Sequence, residues 1–225
     1  PMEAGFPVIQ NQAWVGEERE SPYNRFPLRA KDNVRNAVWS LSHHSAGECI
    51  VFTTNAKEIQ VRYTVTGGRY MNHMPATGVT GVDLYTKSRN GEEMWVAAAH
   101  YSMGDTIKYR FGSQGNRCID FDSNLNHPHT YTLFLPLYNE VKWMEIGVPE
   151  GDKFTFEGLR AERPVVVYGT SIAHGACASR PGMAWCNILS RRLDRPVFNF
   201  GFSGNGLLEP EVLKYICQTD ARLYI

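Results

Sequence analysis

The chain has 225 residues, which suits one large domain or two small ones. Hydrophobic residues make up 43% and charged residues 20%, an ordinary globular composition that sets aside a disordered or fibrous chain. Twenty-three basic residues balance twenty-three acidic ones, so charge points neither to nucleic acid nor to an anionic membrane, and no apolar run is long enough to insert across a bilayer.

The five cysteines, Cys49, Cys118, Cys177, Cys186 and Cys217, are odd in number and include no C-x-x-C pair. Buried free thiols are expected rather than a disulfide framework or a zinc site. The chain opens on Pro1, with no signal peptide and no Asn-x-Ser/Thr acceptor. Removal of an upstream leader is compatible with that, so a cytoplasmic location does not follow.

Residues 47–156 read as strands. Segments 49–53, 59–65, 81–85, 94–97, 130–136 and 143–148 are rich in β-branched and aromatic residues. In the second of them Ile59, Val61, Tyr63 and Val65 alternate with Gln60, Arg62 and Thr64, the period of a half-buried strand. The stretches 66–68, 89–91 and 112–115 supply turn chemistry. Short strands with turns between them predict a β-sandwich of jelly-roll type, assigned to residues 1–160.

From residue 161 the pattern changes. Val165-Val-Val-Tyr168 is an apolar run expected of a strand covered on both faces. Trp185, Ile188, Leu189 and Leu193 recur at helical spacing. Residues 196–200 read as a second strand, and Pro210 opens a helix with Val212, Leu213 and Ile216 on its apolar side. A third strand begins at Ala221. The order β-α-β-α-β predicts a parallel sheet over 161–225. Such sheets usually continue to five or six strands, so the chain reads as a piece of a longer protein.

A serine directly after an apolar strand and before a helix is placed for nucleophilic work, at the sheet edge where open α/β folds bind ligands. A helix N-terminus there adds unpaired N–H groups suited to a developing oxyanion. Gly169-Thr-Ser-Ile172 meets that description, although Ser and Thr are also ordinary helix caps. The second strand runs into Asn199-Phe-Gly-Phe-Ser-Gly-Asn-Gly206, a glycine-rich tip beside the first turn that lets backbone N–H groups approach a substrate oxygen. Phosphate-loop, dinucleotide and G-x-S-x-G patterns are absent.

Val167-Tyr-Gly-Thr-Ser-Ile172 resembles the first block of the SGNH (GDSL-like) hydrolases, with Thr170 where many members have Asp. Asn199-Phe-Gly-Phe-Ser-Gly-Asn205 resembles the second. Gly81-Val-Asp-Leu-Tyr85, supported by Asn72-His-Met74, is similar to the GxDLY signature of the β-domain that precedes such catalytic domains in bacterial proteins. The resemblance implies a flavodoxin-like SGNH domain begun at residue 161, in an exported bacterial esterase. Its substrate would be a small acyl ester or an acetylated carbohydrate, as in the family-two carbohydrate esterases, and no metal or organic cofactor would be needed. Ser171 would be the nucleophile, and its own N–H with that of Gly204 would hold the oxyanion.

Thr170, His174, Asn205 and His73 are candidates for the rim of that site. The family's third-block Asn and its Asp-x-x-His pair are expected beyond Ile225, since none of the seven histidines follows an Asp at that spacing. The isolated chain is therefore expected to be inactive. Two other readings stand beside the esterase: a carbohydrate-binding module offering Trp14, Trp39, Trp95 and Trp143, and a β-platform that orients its neighbour.

Overall fold

The computed structural model describes residues 1–88, 91–112 and 128–225. Cys118 and His127 lie outside the described residues, as do parts of the turns expected at 89–91 and 112–115.

In chain order the elements are β1 (Ile9–Gln10), α1 (Asn36–Ser42), β2 (Cys49–Thr54), β3 (Glu58–Val65) and α2 (Ala76–Val79). Then come β4 (Asp83–Lys87), β5 (Glu93–Val96), β6 (Ala98–Met103), β7 (Ile107–Gly112), β8 (His129–Phe134), β9 (Val141–Gly147) and β10 (Phe154–Phe156). The last part holds β11 (Val165–Gly169), α3 (Ser171–His174), α4 (Trp185–Leu193), β12 (Val197–Gly201), α5 (Pro210–Ile216) and β13 (Leu223–Tyr224). The protein is mostly β-sheet with few helices.

One antiparallel sheet runs β1-β2-β8-β4-β5 with β10 also paired to β2, and a second runs β6-β7-β3-β9. Their buried faces share one core. Ile50, Phe52, Leu84, Tyr131 and Leu133 from the first sheet lie in it with Val61, Tyr63, Ile107 and Phe111 from the second. The alternation read in β3 holds, because Ile59, Val61, Tyr63 and Val65 are buried and Gln60 and Arg62 exposed. β7 has the same period in Ile107, Tyr109 and Phe111, a strand the sequence reading passed over, as it did β6, β1 and β10.

The third sheet is parallel, ordered β12-β11-β13, with Gly169 in register with Gly201. The apolar run is covered on both faces, since Val166 enters one core while Val165 and Val167 enter another. α4 differs from expectation: Cys186 and Asn187 are its buried residues, and Leu193 is exposed. Trp185 and Leu189 pack partly against the sheet.

The core around Val166 joins residues on either side of position 160. Ala13, Phe26, Ala30, Val34, Val38 and Trp39 pack there with Phe200, Phe202, Val212 and Tyr215. Phe26 is fully buried, with ring centroids 5.4–5.8 Å from Trp14, Phe200, Phe202 and Tyr215. Beside it the buried guanidinium of Arg25 donates to the carbonyls of Asn199 (2.9 Å), Gly201 (2.8 Å), Leu41 (2.6 Å) and His44 (2.8 Å). The N-terminal segment thus straps the strand that leads into the second turn.

Candidate active site

β11 ends at Gly169, whose carbonyl accepts the Phe202 N–H at 2.8 Å and so ties the first turn to the second. α3 is a single turn, with the His174 N–H on the Thr170 carbonyl at 3.0 Å. The Ser171 carbonyl takes the N–H groups of Gly175 and Ala176. Thr170 stands at the N-cap but makes no side-chain cap bond; the turn is held by its backbone bonds and by Trp185 Nε1 and Asn199 Nδ2, which donate to the Ile172 and Ala173 carbonyls at 3.0 and 2.8 Å. The Ser171 hydroxyl has no hydrogen-bond partner among the described residues. Neither hydroxyl is a cap. A four-residue helix carries little macrodipole; what it offers is the unpaired N–H groups of its first turn.

The second turn follows β12. Gly204 sits at φ +68°, in the left-handed region that favours glycine, and nothing lies within 4 Å of where its Cβ would stand. Its N–H, like that of Ser171, has no acceptor among the described residues. Asn205 is engaged: its amide donates to the Ser203 carbonyl at 2.9 Å and its oxygen accepts from Arg35 at 2.9 Å. Arg35 also pairs with Glu209. Close packing joins the two turns, since a Cβ on Gly201 would stand 2.1 Å from the His174 backbone nitrogen.

His174, expected at the rim, is instead fully buried beneath the turns. Its Nδ1 accepts the Ser203 N–H at 3.3 Å, and its Nε2 lies 2.8 Å from the Leu137 carbonyl and 3.3 Å from His44 Nδ1. Burial first, then the neighbouring Arg25, holds its pKa well below the usual imidazole range, and the same causes push His44 down to about 3. A neutral imidazole that accepts at Nδ1 carries its proton on Nε2 and donates to Leu137. Both nitrogens are committed, so His174 is no base for Ser171. His73 is exposed at the tip of a turn closed by the Met71–Met74 bridge. Met74 packs with Leu137, Tyr138 and Ala178, which brings this turn against the segment after α3.

Sequence reasoning missed Arg25, Arg35 and Tyr138, which reach the site from distant stretches without a local signature, and gave no role to Ser203, although it lies within the second block. The thiols also differ from expectation, with Cys49 and Cys186 buried but Cys177 and Cys217 exposed. Of the tryptophans, Trp39 is core, Trp14 packs beside it, and Trp95 and Trp143 are exposed.

The Gly81–Tyr85 signature forms a latch between the β-rich part and the segment before α4. Asp83, 2% exposed, accepts from Trp95 Nε1 at 2.7 Å and from the Gly182 N–H at 2.9 Å, and pairs with Arg180 at 3.1 Å. Burial outweighs these partners and raises its pKa to about 6. The Arg180 guanidinium lies 4.1 Å over Trp95, and that of Arg191 4.0 Å over Tyr85. Arg191 also donates to the Gly182 carbonyl at 2.8 Å.

Residues 1–154 match the GxDLY family, described as the N-terminus of SGNH-hydrolase-type esterases, and residues 162–225 match the GDSL-like lipase/acylhydrolase family. A solved structure from Bacteroides ovatus, assigned as a GDSL-like lipase, is 30% identical at a TM-score of 0.83, over 98% of this chain and 61% of that one. The salicylyl-acyltransferase of a tetracycline biosynthetic pathway shares the fold at a TM-score of 0.62 and 17% identity, over 92% of this chain and 55% of its own. The chain thus spans less than two thirds of either relative. No curated protein matches it. By the match over residues 1–154 the chain belongs to the GxDLY family, the N-terminus of SGNH-hydrolase-type esterases, and its remaining part is similar to the GDSL-like lipase/acylhydrolases.

Proposed function

We propose that this chain supplies the nucleophile and two oxyanion donors of a serine esterase that deacylates a small ester, an acetylated carbohydrate being the favoured substrate. One observation carries the reading. A serine hydroxyl with no described partner lies at the carboxyl edge of a parallel strand, tied through Gly169 to a neighbouring turn whose Gly204 N–H has no described acceptor. In this scheme the Ser171 oxygen attacks the ester carbonyl while a base takes its proton. The Ser171 and Gly204 N–H groups bind the oxyanion, the alcohol leaves with the proton, and water then releases the acid. No described histidine is hydrogen-bonded to the hydroxyl, and the family resemblance assigns the base to an Asp-x-x-His pair beyond Ile225.

The chain alone is then expected to be inactive, since losing the base costs on the order of 10⁶-fold in turnover. The two antiparallel sheets over residues 1–160 fit a jelly-roll sandwich, 161–225 fit the start of a flavodoxin-like domain, and export from a bacterial cytoplasm accords with the same family resemblance. The test is an acetyl-ester assay, with 4-nitrophenyl acetate and then acetylated xylan, on the full-length protein and its Ser171→Ala variant. Loss of turnover in the variant supports the reading, and undiminished turnover overturns it.

A further inference from the structure

The two unpaired N–H groups are useful to an oxyanion only if the turn that carries Gly204 is held still, since a misplacement of about 1 Å costs on the order of a hundredfold. That turn is held from outside its own sheet. The Ser203 N–H, one residue before Gly204, donates to His174 Nδ1 at 3.3 Å, and the Ser203 hydroxyl lies 3.2 Å from the Tyr138 hydroxyl. The Tyr138 ring stacks on the His174 imidazole, centroids 4.2 Å apart at 17°. Its hydroxyl also lies 3.4 Å from the Ser171 carbonyl, so one phenol touches both turns.

The anchor is the β-rich part. Nε2 of His174 donates to the Leu137 carbonyl at 2.8 Å, and the Tyr138 N–H is itself bound to the Val79 carbonyl. His44 also faces the pair, its Nδ1 3.3 Å from His174 Nε2 and its ring centroid 5.9 Å from that of Tyr138, on the side away from the Nδ1 that accepts from Ser203.

We propose that His174 and Tyr138 are positioning residues that lock the Ser203–Gly204 turn and transmit to it the placement of the β-rich part. This rests on the Ser171 reading above. It also gives the β-rich part a task in the reaction other than binding substrate.

The test uses the full-length protein with four variants and 4-nitrophenyl acetate. Asparagine carries its oxygen the same number of bonds from Cα as Nδ1, so His174→Asn keeps the acceptor for Ser203. Glutamine instead reaches the Nε2 position, so His174→Gln keeps the contact with Leu137 and loses Ser203. Tyr138→Phe removes one oxygen and keeps the stack, and stays informative if a His174 variant fails to fold. Expected are a fall in kcat of about 10- to 100-fold for His174→Gln and about tenfold for Tyr138→Phe, with KM within twofold. His174→Asn should return to within about threefold of the parent. Binding of a boronic acid that mimics the tetrahedral intermediate should weaken in step with kcat.

Unchanged kcat in both Tyr138→Phe and His174→Gln, or equal losses in the Asn and Gln variants, overturns the positioning role while Ser171→Ala still reports on the nucleophile. Turnover surviving Ser171→Ala overturns the esterase reading itself and this proposal with it.

Discussion

Replacing Glu48 by glutamine should abolish a pH dependence built into the seam between the two cores. Glu48 is 1% exposed and stands at the entry to β2. Its Oε1 accepts from Gln12 at 3.0 Å, while Oε2 has no hydrogen-bond partner among the described residues. Burial raises its pKa from 4.5 to about 8, against the smaller opposing pull of the Gln12 bond and of Arg19 and Arg25. The folded protein therefore holds a proton that the unfolded chain releases near pH 4.5. Stability from this group is complete below pH 4.5 and declines as pH rises toward 8, where the folded carboxyl finally ionises.

At about 1.4 kcal/mol per pH unit, the interval corresponds to roughly 5 kcal/mol. Glutamine copies the shape of the protonated acid and does not titrate. Urea unfolding at pH 4.5, 6, 7.5 and 9 should show the variant nearly equal to the parent at the acid end and several kcal/mol more stable at pH 9. Parallel stability curves would refute the reasoning. So would a parent that gains on the variant with rising pH, because that requires an ionised Glu48 held by Arg19 and Arg25.

Gly204→Ala should cost roughly 1–2 kcal/mol of stability from the left-handed backbone alone, and lower kcat/KM about 10- to 100-fold in the full-length enzyme through a displaced donor. Equal activity would remove Gly204 from the site. Gly201→Ala should fail to fold or lose more than about 2 kcal/mol, read by thermal melting, because a backbone nitrogen occupies the space of the new methyl. Phe26→Ala should cost about 3–5 kcal/mol in urea unfolding at unchanged slope. Asp83→Ala leaves the Gly182 N–H and the Trp95 indole without their acceptor and should cost roughly 2–4 kcal/mol, measured the same way.

What the sequence shows and hides follows from how far each interaction reaches. β3 is legible because one residue in two must face the same core, and β11 because an unbroken apolar run suits a strand covered on both sides. β7 carries the same alternation in Ile107, Tyr109 and Phe111 and was legible in principle. β1, with two residues, has no period to read. Ser171 and Gly204 are singled out because a strand-to-turn junction leaves a local mark, to which the family resemblance adds their roles. His174 was found but misplaced, since its spacing from Ser171 says nothing about Leu137 and Ser203, which bind its ring. Arg25 leaves no local mark: its acceptors are backbone carbonyls, as near as Leu41 and as far as Gly201, and a carbonyl has no residue type. Thr170 is of a type that ordinarily caps a helix, yet its side chain makes no cap bond, and the turn takes its side-chain support from Trp185 and Asn199 instead.

The strap that places Phe26 against Phe200 also sets a schedule for synthesis. Arg25 and its acceptor Asn199 are 174 residues apart. At about 5–20 residues per second, the partners of the first-made aromatic cluster emerge on the order of ten to thirty seconds after it. Through that interval Trp14, Phe26 and Trp39 have no β12 or α5 to cover them, and every strand of the two antiparallel sheets is made before β12. The β-rich part can close first, with the strap waiting as an apolar flag for a chaperone, and a slow last phase of folding should report the moment it is seated.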